Sequence, residues 1–184
     1  MAHDKSIIES FDPYLPKVVQ WINQLVKQSS PSAKPLSAFN FPRLPYYYSQ
    51  NLLDNTKVVL VDQVPLVPLS KIGVTGLGHF ENLIITGVTY LDHMFIDKKY
   101  QTEEWLYFHE LVHVLQWQVL GFEDYLLAYG LGLYNHRDDY TKSFLEAMAY
   151  ENHDIFRIST IPFNVEKKLK SHIQGHKAYI NGLK

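Results

Sequence analysis

The residues best suited to chemistry in this chain are His109, Glu110 and His113, which form the pattern His-Glu-x-x-His. In an α-helix, positions 109 and 113 differ by about 40° in azimuth and about 6 Å in height, so both imidazoles can reach one cation. Glu110 is offset by about 100° and can instead hold a metal-bound water and accept its proton. The pattern therefore predicts a zinc site with two histidine ligands and a glutamate general base.

The segment that carries this motif, residues 103–120, is predicted to be a single helix. Thr102 is a suitable N-cap, Glu103 and Glu104 fall in the first turn, and Gly121 follows the last turn. The helix is apolar nearly all round, which predicts a central and buried position. Buried imidazoles and carboxylates are costly unless they are paired or bind a metal. This cost favours a metal site over a chance pattern and over a helical scaffold without metal.

The third ligand must come from elsewhere, and the absence of cysteine excludes a thiolate. Glu146 lies among small and apolar residues that predict a buried helix, where its carboxylate would need a partner such as a metal, Arg137 or Lys142. Glu151 is the second candidate, although its polar neighbours predict exposure. Three further candidates are weaker, because one closely follows a turn and the others are expected at the surface or behind the ligands: Glu123, His136 and His153.

The motif and the residues that follow it resemble the active-site helix of zincin metallopeptidases. The metzincin branch is disfavoured, because Gln116 and Trp117 stand where that branch would continue differently. The segment 143–150 is similar to the third-ligand helix of small bacterial gluzincin-like proteins, and this resemblance implies Glu146 as the third ligand. In gluzincins an aspartate stands four residues after that glutamate, whereas this chain has Tyr150. Another group must therefore orient the imidazoles.

The resemblance implies a zinc metallopeptidase that holds one Zn²⁺ per chain and acts on a peptide or protein substrate. The oxyanion of the tetrahedral intermediate needs a hydrogen-bond donor besides the metal, and Tyr150 is the preferred candidate because it lies one turn beyond Glu146. The alternatives are Tyr140, His136 and Arg137. Candidates to orient the imidazoles are Asp154, Asn135 and a backbone carbonyl.

The stretch 87–96 also resembles the edge strand of a zincin cleft, along which an extended substrate can add as a further strand. The same stretch is equally consistent with a hairpin strand of the core. A different functional class also remains open: a zinc-binding module without turnover, with a regulatory or interaction role. Its cleft would be covered by the aromatic loop 35–50 or by a final helix at 164–181. Glu110 favours catalysis, because structural zinc sites close with four protein ligands and need no base.

Composition bounds the remaining possibilities. With 184 residues, 46% hydrophobic and 20% charged, the chain is expected to form one domain over residues 1–184. The net charge is −2, and the only basic run, Lys167-Lys168-Leu169-Lys170, is typical of a solvated helix face, so no nucleic-acid partner is expected. The sequence has neither a signal-peptide core nor an apolar run of about 20 residues, which predicts a cytoplasmic protein without a membrane span.

The remaining elements follow from periodicity and from turn residues. Strands are predicted at 56–64, ending at Pro65, and at 83–85 and 88–96, joined near Gly87. Helices are predicted at 14–28, 122–134, 141–157 and 165–180, with a polar loop at 135–140. The sequence thus predicts an α+β fold: a small twisted sheet from the N-terminal half packed on the central helix, and a mostly helical C-terminal half.

Overall fold

The computed structural model describes residues 2–137 and 139–184, and of Gly78 and His79 it describes the backbone only. Met1 and Asp138, the latter within the predicted polar loop, lie outside the described residues. The fold is α+β, as predicted, with short 3₁₀ turns between the main elements. The helices and strands in chain order are α1 (Ala2–Phe11), α2 (Leu15–Ser29), β1 (Lys34–Pro35), α3 (Gln50–Asn55), β2 (Lys57–Val61), α4 (Leu69–Ile72), β3 (Gly87–Tyr90), β4 (His93–Asp97), α5 (Glu104–Leu120), α6 (Phe122–Asn135), α7 (Phe144–Ile158) and α8 (Val165–Asn181).

The four strands form one small mixed sheet in the order β1-β2-β4-β3. The two central strands, β2 and β4, run parallel, whereas both outer pairs are antiparallel. Parallel pairing requires a crossover connection, and the chain makes it through the segment 62–86, which includes α4, and then through β3. Strand β3 therefore lies at a sheet edge, and it packs against α5.

Helix α5 is the centre of the molecule, in contact with β3, α6, α7 and α8. Its sequence is apolar round the whole circumference, and this is why it is buried on every side. The helix begins one residue later than predicted: Glu103 is the N-cap residue and makes no side-chain cap. Glu104 Oε1 instead accepts hydrogen bonds from the backbone N–H groups of Arg43 and Leu44, at 2.7 and 2.9 Å. Gly121 ends the helix as predicted, with φ of 81°.

The aromatic segment 35–50 packs on α5, but its aromatic side chains are not all buried. Tyr47 and Tyr48 are buried, and the Tyr48 hydroxyl donates to the Phe108 carbonyl at 2.9 Å. Phe41 stacks at a tilt on the Tyr107 ring, 4.4 Å between centroids. Tyr46, by contrast, is 71% exposed.

Two predictions in the N-terminal half were wrong. Residues 83–85 do not form a strand; they follow a 3₁₀ turn at Gly78–Asn82. Gly87 does not join two strands but begins β3, and the hairpin turns at Leu91 and Asp92 instead. Leu91 adopts a positive φ of 61°, which a bulky residue seldom does, so its residue type does not indicate a turn there. Helix α1 was not predicted at all; it packs against α6.

The helices of the C-terminal half match their predicted positions within about three residues. Among the described residues, no helix is long and apolar enough to cross a membrane.

Candidate metal centre

Three buried side chains converge between α5 and α7: His109, His113 and Glu146. The Nε2 atoms of the two histidines are 3.2 Å apart. The Oε2 atom of Glu146 lies 3.5 Å from Nε2 of His109 and 3.6 Å from Nε2 of His113. The three donor atoms therefore form a nearly equilateral triangle.

This triangle has the dimensions of a metal site. Donors placed about 2.0–2.1 Å from a tetrahedral ion lie roughly 3.3–3.4 Å from one another, close to the three observed separations. Two imidazoles and one carboxylate also form the three-ligand set of catalytic zinc sites, which keep the fourth position for water or substrate. The buried triad could thus hold a metal ion, and Glu146 takes the place predicted for it.

The charges of the triad are mutually dependent. Burial alone would raise the pKa of Glu146, but His113 and His109 outweigh burial and hold that pKa well below its usual range. Burial alone would lower the pKa of His113, but the carboxylate of Glu146, followed by Glu110 and Gln116, raises it to about 9. Without a metal the site is thus an ion pair, and a metal ion would replace the proton on His113.

His113 is oriented by a residue of its own helix. With Nε2 directed at the triad, its Nδ1–H donates to Oε1 of Gln116 at 2.8 Å. The amide of Gln116 in turn donates to the Leu145 carbonyl at 2.9 Å, one residue before Glu146. Gln116 is fully buried. Sequence reasoning missed this role, although a glutamine three residues after the second histidine of an apolar helix was an available signal.

His109 is oriented by a residue of α7. Its Nδ1–H donates to Nδ1 of His153 at 3.0 Å, and Nε2 of His153 lies 3.2 Å from a carboxylate oxygen of Asp154. Burial, reinforced by the nearby His109, lowers the pKa of His153 to about 4, so this ring accepts the hydrogen bond in its neutral form. Asp154 therefore acts through His153 rather than directly. Asn135, the other predicted candidate, bonds to Asp4 instead.

Glu110 does not join the triangle and is held separately against the sheet edge. Its Oε2 accepts a hydrogen bond from the Thr89 hydroxyl at 2.7 Å, and the residue is only 3% exposed. Gly87 lies on its other side: a Cβ atom there would lie 2.7 Å from Oε1 of Glu110. Strand β3 therefore positions this carboxylate through Thr89 and leaves room for it at Gly87. Neither contact could be predicted from the sequence, because each joins the strand to a distant helix.

Substitution of Gly87 by alanine tests this close packing. We expect the added methyl to displace the Glu110 carboxylate and to lower by about 10–100-fold the kcat/KM of a hydrolysis in which Glu110 is the general base, because misplacement by about 1 Å can cost that much. Zinc content should be unchanged, since the methyl would not contact the triad. The matched control is Gly175→Ala on α8, where a Cβ meets nothing within 4 Å. Equal activity in the two variants would contradict the positioning role.

Tyr150, the predicted oxyanion donor, lies beside the triad. Its ring packs edge-on against that of His109, 4.7 Å between centroids, and it borders the same cavity. Burial raises the pKa of Tyr150, so its hydroxyl stays protonated at neutral pH. Tyr140 borders the same cavity, and Tyr129, which was not predicted, donates to Oε1 of Glu146 at 3.4 Å.

The other candidates lie away from the triad. Glu123 pairs with Lys184, and Glu151 is exposed, as expected. Lys142 pairs with Asp139 and not with Glu146. Arg137 lies over the ring of Tyr134, with its guanidinium carbon 4.0 Å from the centroid, and neither Arg137 nor His136 borders the cavity.

The triad and Glu110 share one cavity of about 500 Å³. Strand β3 forms part of the cavity wall and lies at the edge of the sheet. The stretch 87–96 is therefore a hairpin whose first strand, β3, is an edge strand and whose second strand, β4, lies inside the sheet. Neither segment that was available to cover the cleft in the alternative without turnover, 35–50 or 164–181, contributes to the described lining.

Comparisons of the chain with models of protein families, with curated proteins and with solved structures found no match. What the site can do follows from its own residues: a three-donor metal triad, a carboxylate outside it, and a protonated tyrosine hydroxyl in one cavity.

Proposed function

We propose that this protein is a zinc-dependent metallopeptidase of the gluzincin type. The observation that carries the proposal is the triangle of His109, His113 and Glu146, with Glu110 held apart from it in the same cavity. A purely structural metal site has no use for a separate buried carboxylate. Glu110 is costly to bury there, and a role as general base accounts for it.

The donor set favours zinc over other common cations. Mg²⁺ and Ca²⁺ prefer oxygen ligands, whereas imidazole nitrogen with one carboxylate suits zinc. Other first-row metals share this preference in part, so the choice of zinc rests on the three-ligand pattern of catalytic zinc sites. When bound, zinc supplies a Lewis acid that lowers the pKa of water toward 7 and polarises a carbonyl group.

The residues of the chain then divide the remaining work. Glu110 takes a proton from the attacking water and returns it to the nitrogen of the leaving amine. Thr89 keeps the Glu110 carboxylate in place through its 2.7 Å hydrogen bond. Tyr150 donates a hydrogen bond to the carbonyl oxygen as negative charge develops on it, which its raised pKa permits at neutral pH. Gln116 and His153 hold the two imidazoles in their orientations.

A peptide backbone is the substrate that the sheet edge suits best. Strand β3 pairs with β4 on one side only and borders the cavity next to Glu110. On the other side of β3 the Thr89 carbonyl already accepts a hydrogen bond from the Trp117 indole at 3.0 Å. An extended peptide could therefore add as a further strand through the backbone of Gly87, which would bring a peptide bond to the triad.

Zinc-dependent hydrolysis of a mixed peptide library tests the proposal. The purified protein is stripped with a chelator, reloaded with one equivalent of zinc, and assayed by mass spectrometry for new peptide termini. We expect cleavage only after reloading. A zinc-loaded protein that is as inert as the stripped one would favour the alternative of a zinc-binding module without turnover.

A further inference from the structure

The cavity that contains the triad is much larger than the metal site needs. Its volume of about 500 Å³ is in the range that accommodates a drug-sized ligand, and it is several times what one amino-acid side chain occupies. Beyond the triad, apolar side chains of the N-terminal helices and of α6 form two of its walls: Phe11, Leu15, Val18, Leu126 and Leu133.

The crossover segment between β2 and β4 forms the third wall of this part of the cavity. Its contribution is again mostly apolar and includes Leu66, Val67, Leu69, Val74, Leu77 and Phe80, with the polar Thr86 at its end next to β3. Ile84 also borders the cavity yet is fully exposed, so an apolar side chain stands at its opening. We call the space enclosed by these walls the apolar chamber.

Charge on the described part of the lining is confined to two helices. Among the lining residues whose side chains the structure describes, which leaves out Gly78 and His79, every acidic, basic or histidine side chain belongs to α5 or α7: His109, Glu110, His113, Glu146, His153 and Arg157. A ligand that matches this division has a polar group at the triad and an uncharged tail in the chamber. Burial of that tail would be favourable by roughly 25 cal/mol per Å² of apolar surface.

We propose that the apolar chamber binds a long alkyl or acyl chain, and that the substrate carries such a chain next to the amide that is cleaved. The proposal rests on the proposed function only for the bond that is broken; binding of the chain does not require turnover. In the reaction, the hydroxyl of water bonds to the acyl carbon, the carbon–nitrogen bond breaks, and Glu110 delivers the proton to the departing nitrogen. A single aromatic or branched side chain would fill only part of the 500 Å³ cavity.

Chain binding can be measured without zinc and without hydrolysis. The neutral fluorophore N-phenyl-1-naphthylamine serves as the probe, and hexanol, octanol, decanol and dodecanol compete with it for the stripped protein. We expect the Kd of the alcohols to fall by about three- to fourfold per added methylene until the chamber is full. Equal Kd values across the series, or tightest binding by hexanol, would overturn the proposal while leaving the peptidase assay unaffected.

Two leucines of α2 provide a matched pair of variants. Both are partly buried and pack on the core, but only Leu15 borders the cavity; Leu25 does not. We expect Leu15→Trp to weaken dodecanol binding by at least about tenfold, because the indole would exclude several methylenes, and Leu25→Trp to bind as wild type. Leu69→Trp blocks the chamber from a different wall, so it tests the same assignment if Leu15→Trp fails to fold. Wild-type affinity in both folded chamber variants would contradict the assignment.

Discussion

Substitution of Glu110 by glutamine is expected to reduce peptide hydrolysis by about 10²–10⁴-fold, the range that loss of a general base costs. Glutamine has nearly the same shape and can still accept the hydrogen bond from Thr89, but it cannot take a proton from water. Glu110 lies outside the triangle of donors, so zinc content should stay at about one ion per chain. The kcat/KM of the zinc-loaded variant and its zinc content, measured on the same preparation, check both parts.

The matched control is Glu151→Gln on α7. Glu151 is exposed and lies next to Tyr150 in sequence, so its loss removes the same charge without touching the cavity lining. Its activity should equal that of the wild type. If Glu110→Gln and Glu151→Gln were equally active, Glu110 would not be the base; if Glu110→Gln lost its zinc, the carboxylate would belong to the metal site instead.

Substitution of Glu146 by alanine is expected to have the largest effect on metal binding. Loss of a hydrogen-bonding partner of a ligand typically costs about 10–100-fold in affinity, and loss of the ligand itself should exceed that range. The measurement is zinc affinity by competition with a chromophoric chelator. Glu151→Ala, which removes an exposed glutamate five residues further along α7, should bind zinc as the wild type does.

Folding must be separated from metal binding in this experiment, because the Glu146 carboxylate is also what raises the pKa of the buried His113. Glu146→Gln preserves the volume of the side chain and can still accept from Tyr129, so it is the second variant. We expect it to fold and to bind zinc far more weakly than the wild type. Wild-type affinity in the folded glutamine variant, or weaker binding in Glu151→Ala, would reassign the third ligand.

The parts of the site that could be predicted from the sequence are those that depend on the spacing and polarity of residues within one helix. The four-residue spacing of His109 and His113 fixes their common helix face, and an apolar circumference fixes the burial of that helix. Glu146 could be singled out because a carboxylate among small and apolar residues needs a partner. Each of these inferences uses only neighbours within about one turn or one helix.

The parts that were missed depend on contacts between distant segments. Nothing local distinguishes Gly87 as the residue that leaves room for Glu110, because the approach joins a strand to a helix 23 residues later. The apolar run at 83–85 has no periodicity that separates a strand from a loop, and Ile84 proves fully exposed. The chamber walls likewise come from α1, α2, the crossover segment and α6, which the sequence gives no reason to bring together.

The most direct test of the metal centre is an anomalous difference map from crystals of the protein grown with one equivalent of zinc, collected at the zinc absorption edge. We predict one strong peak per chain, bonded to Nε2 of His109, Nε2 of His113 and a carboxylate oxygen of Glu146, with the Glu110 carboxylate outside bonding distance. A peak at any other position, a peak that includes Glu110 as a ligand, or no peak within this triangle would contradict the account.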